Sequence, residues 1–257
     1  REVFFLGNSY FERQLAKQSE ELFDYDDAIW IQSTVSENNK WLWILKNPSN
    51  TRKIIEGSTM IFAGNQYLAD YAKQFNSNVV IVPTTIDTNE YKPAYNANKE
   101  KICIGWSGSF STIVHFTTCL NALKIIKKKY GDKVYFKVRG SEDYYNNELN
   151  IKGLPGQKET EIEDLQEIDI GIMPLPDDEW AKGKCGLKGL QYMALEIPTI
   201  MSPVGVNTEI IQNGENGFLA TNVEDWVRSI SLLVDSAELR KTIGCNGGKT
   251  VLTKLSV

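Results

Sequence analysis

Histidine is nearly absent from this sequence. His115 stands alone, and the four cysteines, Cys103, Cys119, Cys185 and Cys245, are far apart with no paired ligand spacing. A zinc site of His and Cys ligands is therefore not expected, and a reducing, cytosolic setting is. With no histidine near it in sequence, Cys185 reads as a small packing residue and not as a nucleophile. No apolar run approaches the roughly 18 residues of a membrane span, and no signal peptide opens the chain. Long runs of one charge sign are missing too. At a net charge of −5 there is no basic face for a nucleic-acid partner. A starting methionine is also lacking, and Arg1 in its place leads us to expect a sequence that begins partway through a longer protein.

What remains is ordinary globular material. The 257 residues are 42% hydrophobic and 24% charged, enough to form one large or two modest domains around real cores. Residues 2–6 read as a strand, and Asn8 or Ser9 caps a helix carrying Phe11, Leu15 and Leu22. A strand-like turn at residues 22–30 holds Asp24, Asp26 and Asp27, whose spacing suits either a divalent metal or carboxylates capping a strand end. Trp41, Leu42, Trp43 and Ile44 line a groove or plug a helix–sheet contact. Residues 58–83 give a clear βαβ pattern: the strand Met60, Ile61, Phe62, Ala63, a helix begun at Gly64 and Asn65 with Leu68, Tyr71 and Phe75, and a second strand at residues 79–82. Such a unit implies a parallel sheet. Residues 94–100 are polar and turn-rich, as a linker should be.

The second half restarts with a buried strand at residues 101–106 and a small-residue loop, Ser107, Gly108, Ser109. Ser111 or Thr112 then caps a helix whose face is Ile113, Phe116, Leu120, Leu123 and Ile126. A strand at residues 134–138 ends in Arg139. The stretch on which everything else turns is residues 177–209. A charged loop with Lys182, Gly183, Lys184 and Gly186 feeds a helix marked by Leu187, Leu190 and Met193. A glycine-flanked helix start beside lysines suits an anion such as a diphosphate; a plain surface loop capping an amphipathic helix is the competing reading. A short strand follows at residues 197–201, then a Pro/Gly turn, then Glu209, Ile210 and Ile211, with Asn213 and Gly214 as the stop. This resembles the ligand-facing edge of an α/β sheet. Trp226, Ile230 and Leu233 mark a later packing face.

The run GIMPLPDDEWAKGKCGLKGLQYMALEIPTIMSPVGVNTEIIQNGENGFLA is similar to the C-terminal domain signature of glycosyltransferase family 4, the glycosyl transferases of group 1. Those enzymes have the two-Rossmann GT-B architecture and use nucleotide-sugar donors. A looser likeness runs from about Asp24 to the chain's end. The resemblance implies an α/β fold of two Rossmann-like, doubly wound parallel-sheet domains. It divides the chain into a partial acceptor-side domain with its linker, residues 1–98, and a donor-binding domain, residues 99–257. It further implies a retaining glycosyltransferase of hexosyltransferase type with no essential metal and no cofactor. The substrate would be a UDP- or GDP-linked sugar, and the acceptor a saccharide or a lipid-linked one. The setting implied is bacterial surface polysaccharide synthesis, in the cytoplasm with peripheral association at the inner membrane face.

The sequence departs from the family in places that bear on chemistry. Where many members carry an arginine and a lysine for the donor diphosphate, this chain has Trp106, Ser107, Gly108 and Ser109. Lys184 and Lys188, which flank the helix start, are the candidates for the catalytic cations, and Arg139 is a further candidate for donor binding. Gly108, Ser109, Gly186, Leu187, Gln191 and Glu209 complete the expected donor-binding set. The family's paired glutamates become Gly183 and Gln191, and only the latter can bond ribose hydroxyls. Asp177, Asp178 and Glu179 either supply a missing carboxylate or form a solvated loop. Glu196 stands where a glycine with positive φ is expected, a substitution costing about 1 kcal/mol. His115 reads as structural. The alternatives left open are a non-catalytic nucleotide-sugar-binding module or inactive fragment, a sugar-nucleotide epimerase, and a metal-dependent transferase using Asp24 to Asp27.

Overall fold

The computed structural model describes residues 21–31, 49–94 and 100–257. The expected strand at 2–6, Phe11 and Leu15 of the expected first helix, the apolar group around Trp41 and Trp43, and residues 95–99 of the linker lie outside the described residues, whereas Leu22, expected on that helix, is the first residue of a strand. Contacts sort the described residues into two compact units. One takes those of Arg1–Thr84 together with Asp177–Cys185, and the other takes those of Thr85–Pro176 and Gly186–Val257.

The first unit is built on three parallel strands in the order β1 (Leu22–Tyr25), β2 (Met60–Ala63), β3 (Val79–Ile81). Helix α1 (Ser49–Gly57) precedes β2, and α2 (Gln66–Ala72) crosses from β2 to β3. That crossover is the βαβ unit read from the alternation of apolar runs. Asn65 begins α2 with an extended backbone, its side chain accepting from the Leu68 N–H at 2.9 Å, as an N-cap should. Ile55, Ile61, Ala63 and Leu68 form the core of the unit, and the Tyr25 hydroxyl closes it by donating to the Leu68 carbonyl at 2.6 Å.

The second unit holds a five-stranded, all-parallel sheet. Its strands are β4 (Ile102–Ser107), β5 (Val134–Arg139), β8 (Ile170–Met173), β9 (Thr199–Met201) and β10 (Phe218–Leu219); the short pair β6 (Tyr145–Asn146) and β7 (Ile151–Lys152) is antiparallel. Lateral order is β10-β9-β8-β4-β5. Strands β4 and β8 are buried throughout, which requires helices on both faces. On one face α4 (Leu120–Tyr130) and α8 (Val223–Asp235) bring Leu123, Ile126, Trp226, Ile230 and Leu233 against the sheet. On the other, α5 (Glu161–Gln166) and α6 (Leu187–Ala194) bring Leu165 and Tyr192. Helices α3 (Ile113–Thr117), α7 (Asn207–Ile210) and α9 (Ala237–Lys254) complete the unit. The chain leaves β4 for β5 on one side and returns to β8 on the other. The strand order therefore reverses at β4, and in open α/β sheets ligands bind at the carboxyl ends of the strands that flank such a reversal, here β4 and β8. The second unit begins at Thr85, and Ile86 ties that segment to the C-terminal end by donating to the Leu255 carbonyl at 2.8 Å.

One helical expectation is corrected. The single helix read from Thr112 to Ile126 is two, α3 and α4, parted at Thr118 and Cys119. The Thr117 and Thr118 hydroxyls bond back to the Val114 and His115 carbonyls at 2.6 and 2.7 Å, and the Cys119 N–H reaches the carbonyl three residues earlier, at Phe116. This tightened turn interrupts the ladder. Nor does Thr112 cap α3 with its side chain; its hydroxyl bonds Ser109 instead. Glu196, by contrast, does adopt a positive φ, 55°, just past the end of α6. No described helix is long and apolar enough to cross a membrane.

Candidate functional site

The chain enters α6 through Gly186, at φ 77° and ψ 4°. A side chain there would be strained, and its Cβ would stand 2.6 Å from Ile210 Cδ1. Glycine in the capping position has nothing with which to bond the first N–H groups of the helix, so α6 presents those donors and the positive end of its dipole at its start. Leu187 is 48% exposed and Lys188 half-buried, while Gly189 lets Met201 and Met173 close against the helix. Glu209, on α7 in the same unit, is exposed.

One turn into α6, Gln191 is buried. Its amide nitrogen donates to the Tyr91 hydroxyl at 2.8 Å, and that hydroxyl donates to Glu161 Oε2 at 2.8 Å. Burial, and next the bond to Glu161, push the Tyr91 hydroxyl up to about 12, so it is a donor at neutral pH. Glu161 is also held by Arg139 Nη1 at 3.1 Å, while Arg139 Nε reaches Asp164 Oδ2 at 3.1 Å and Nη2 bonds the Gln157 carbonyl. Lys137, two residues back on the same face of β5, takes Glu167 at 2.8 Å and Asp164 at 3.3 Å. Burial by itself would raise the Asp164 carboxyl, but Thr160, Lys137 and Arg139 outweigh it and hold that group below the ordinary value. Arg139 thus sits buried at the carboxyl end of β5 with its guanidinium turned on the acids of α5.

At the end of β4 the Ser107 N–H donates to the Tyr192 hydroxyl at 2.6 Å. Gly108 follows, where a Cβ would run into the Trp106 ring, and its N–H donates to the Arg139 carbonyl at 3.0 Å. Ser109 turns its hydroxyl on Ser111 at 3.0 Å and Thr112 at 3.1 Å, with its N–H on the Thr112 hydroxyl at 2.9 Å. This small-residue loop is a self-bonded turn.

The segment Asp177–Cys185 belongs to the first unit, and Asn65 organises it. The Asn65 amide nitrogen faces the carbonyls of Lys182, Gly183 and Lys184 at 3.2 to 3.4 Å. Gly183 is required by packing, because a Cβ there would lie 2.7 Å from the Ala28 methyl and 2.8 Å from its nitrogen. Lys184 bonds Asp27 Oδ1 at 2.7 Å and lies 5.2 Å over the Trp180 ring. Cys185 is buried, and burial, with Asp26 and Asp27 next, pushes its thiol up to about 12, which leaves it un-ionised and poorly nucleophilic. Glu179 accepts from Tyr67 at 2.8 Å and Lys182 at 2.6 Å. Among the described residues no three His, Cys, Asp or Glu side chains converge to hold a metal ion.

Comparison with known proteins bears directly on this arrangement. A family model described as "Glycosyl transferases group 1" matches residues 101–236, more than half of the chain. The chain belongs to this family. Solved structures extend the likeness beyond the matched stretch. Sucrose-phosphate synthase from Thermosynechococcus elongatus is 12% identical with a TM-score of 0.68, over 96% of this chain and 67% of its own. TarM of S. aureus is 15% identical with a TM-score of 0.69, over 93% of this chain and 49% of its own. Anabaena Alr3699/HepE, solved with UDP and glucose, is 14% identical with a TM-score of 0.71, over 95% of this chain and 69% of its own. The chain therefore spans about half the length of TarM and about two thirds of the other two. Among curated proteins, none matches it. The α/β architecture with parallel sheets is that of the GT-B glycosyltransferases.

For this group 1 glycosyltransferase the structure brings Gln191 and Arg139 into one hydrogen-bonded chain and assigns Lys184 and Lys188 to different units. Sequence reasoning missed Tyr91 and Tyr192. Tyr91 lies in a polar turn without periodicity, and Tyr192 reads as core. Only the general preference of buried polar groups for partners could have pointed to them.

Proposed function

We propose that this protein is a retaining glycosyltransferase that takes its sugar from a nucleotide-sugar donor without an essential metal and passes it to a saccharide or lipid-linked acceptor. The observation that carries the reading is the start of α6: a left-handed glycine, no capping side chain and a neighbouring lysine, in a parallel α/β unit of this family. Such a helix start holds a diphosphate and stabilises the negative charge that grows on it as the glycosidic bond breaks. In this reading Lys188, in the first turn of α6, supplies the cation. Gln191 bonds the ribose through the amide oxygen that its bond to Tyr91 leaves over. Leu187 and Glu209 flank the site. UDP is the favoured nucleotide, because the similar Alr3699/HepE structure contains it. The surface-polysaccharide setting at the cytoplasmic membrane face rests on family resemblance.

A non-catalytic nucleotide-sugar-binding module is the second reading. It is favoured by Arg139, whose guanidinium is already bonded to Glu161, Asp164 and the Gln157 carbonyl. The deciding experiment is a thermal-shift panel of UDP, GDP, ADP and their sugar conjugates, with and without a divalent ion, since a ligand held by the native state raises the melting temperature. The expected outcome is a metal-independent shift with one base, lost in Lys188→Ala and reduced in Gln191→Ala. Binding without sugar transfer to any acceptor would favour the module, and a shift that demands a divalent ion would remove the metal-free mechanism.

A further inference from the structure

Beside the start of α6 stands a polar group that the reading above leaves unused. Asn207, the first residue of α7, is fully buried. Its amide nitrogen donates to the Ser202 carbonyl at 3.0 Å. This bond sets the sense of the amide, because the reverse orientation would oppose two acceptors. The amide oxygen then finds no hydrogen-bond partner among the described residues. It points at the helix start, 3.7 Å from where a Cβ on Gly186 would stand, with Val206 and Ile210 beside it. A buried acceptor left unpaired is rare and unfavourable, which implies a donor from outside the chain.

The chemistry of that donor follows from the atom. An amide oxygen accepts and cannot donate. A deprotonated diphosphate oxygen is likewise only an acceptor and gains nothing from it, whereas a hydroxyl donates. Gly186 lets Ile210, Val206 and the Asn207 amide oxygen close against the helix start, and its φ of 77° discourages any other residue there. The helix start and the amide therefore suit two different groups of one molecule, an anion and a hydroxyl.

Building on the donor-site reading, we propose that Asn207 is a specificity-determining residue whose amide oxygen accepts a hydrogen bond from a hydroxyl of the donor sugar. Its effect is to favour sugar nucleotides over bare nucleoside diphosphates at the start of α6.

Calorimetric titration of the chain with UDP, GDP, UDP-glucose and GDP-mannose tests this, using the pair whose base binds. Wild type binds the sugar nucleotide more tightly than the diphosphate. In Asn207→Leu the sugar nucleotide weakens by about tenfold, the effect of one lost hydrogen bond, while the diphosphate changes by less than about twofold. Deoxy-sugar nucleotides give a second measurement that needs no variant. On wild type, removing one particular hydroxyl costs about tenfold, and in Asn207→Leu that analogue and its parent bind alike. Equal weakening of both ligands, or no deoxy position that matters, would overturn the role of Asn207 and leave the donor site standing. Absence of binding by every nucleotide would overturn the donor-site reading and this proposal with it.

Discussion

Glu196 is a residue in the wrong conformation for its type. At φ 55° it ends α6 in the left-handed region, where the Cβ of an L residue costs about 1–2 kcal/mol. Glycine removes that strain but gives up about 0.5–1 kcal/mol of chain entropy. The position also carries a compensation, since Glu196 Oε2 accepts from the Cys245 thiol at 3.2 Å, a weak bond. The balance slightly favours the substitution, and Glu196→Gly should raise stability in urea denaturation by about 0.5 kcal/mol; a loss would mean that the side-chain contacts outweigh the strain. The demand for a positive φ was expected from the family resemblance, which puts a glycine in this place. The structural reason for Gly183 was not legible, because it depends on Ala28, 155 positions earlier in the chain.

Elements with a strict period were the legible ones. Strand β4 reads as a buried run and is buried along its whole length, and the face of α8 with Trp226, Ile230 and Leu233 is the buried one. The break between α3 and α4 escaped because threonine hydroxyls bonding back to carbonyls leave no trace in apolar spacing. The same limit hid Tyr91. It joins three elements by bonding Gln191 on α6 and Glu161 on α5 from the segment that follows β3. A neighbouring bond of 2.9 Å, from the Gln166 amide to the Lys92 carbonyl, fastens that segment again. Tyr91→Phe keeps the ring and removes both hydroxyl bonds, leaving the buried Gln191 amide short of an acceptor. Stability measured by chemical denaturation should fall by about 1–3 kcal/mol, and a variant as stable as wild type would show that water replaces the hydroxyl at no cost. The expected donor residues followed the same division: Gly186 and Leu187 could be placed at a helix start from local pattern, whereas the engagement of Arg139 and Lys184 depends on acids far away in the sequence.

At the scale of the molecule, acid stability turns on the β5–α5 charge network. The chain carries a net charge of −5 at neutral pH and a sequence isoelectric point near 5.2, so its overall charge reverses as acid is added. General repulsion between positive charges then grows. The specific contribution comes from Asp164, whose carboxyl is held below the ordinary value despite the burial that opposes this. A carboxyl with a depressed folded-state pKa adds stability that is fully present above its unfolded value of about 3.9 and is lost as pH falls through the lower folded value. Lys137 and Arg139 face that carboxyl with side chains only 7% and 4% exposed, so protonation of Asp164 leaves two buried cations short of a partner. Denaturation followed by tryptophan fluorescence should therefore show a fall in stability as pH drops below about 4. Asp164→Asn should be less stable than wild type at pH 7 by about 1–3 kcal/mol, and the gap between the two should narrow toward pH 3, because the wild-type carboxyl is losing there the charge that the variant never had. A gap of constant size across that range would place the acid sensitivity elsewhere, in the summed charge of the surface.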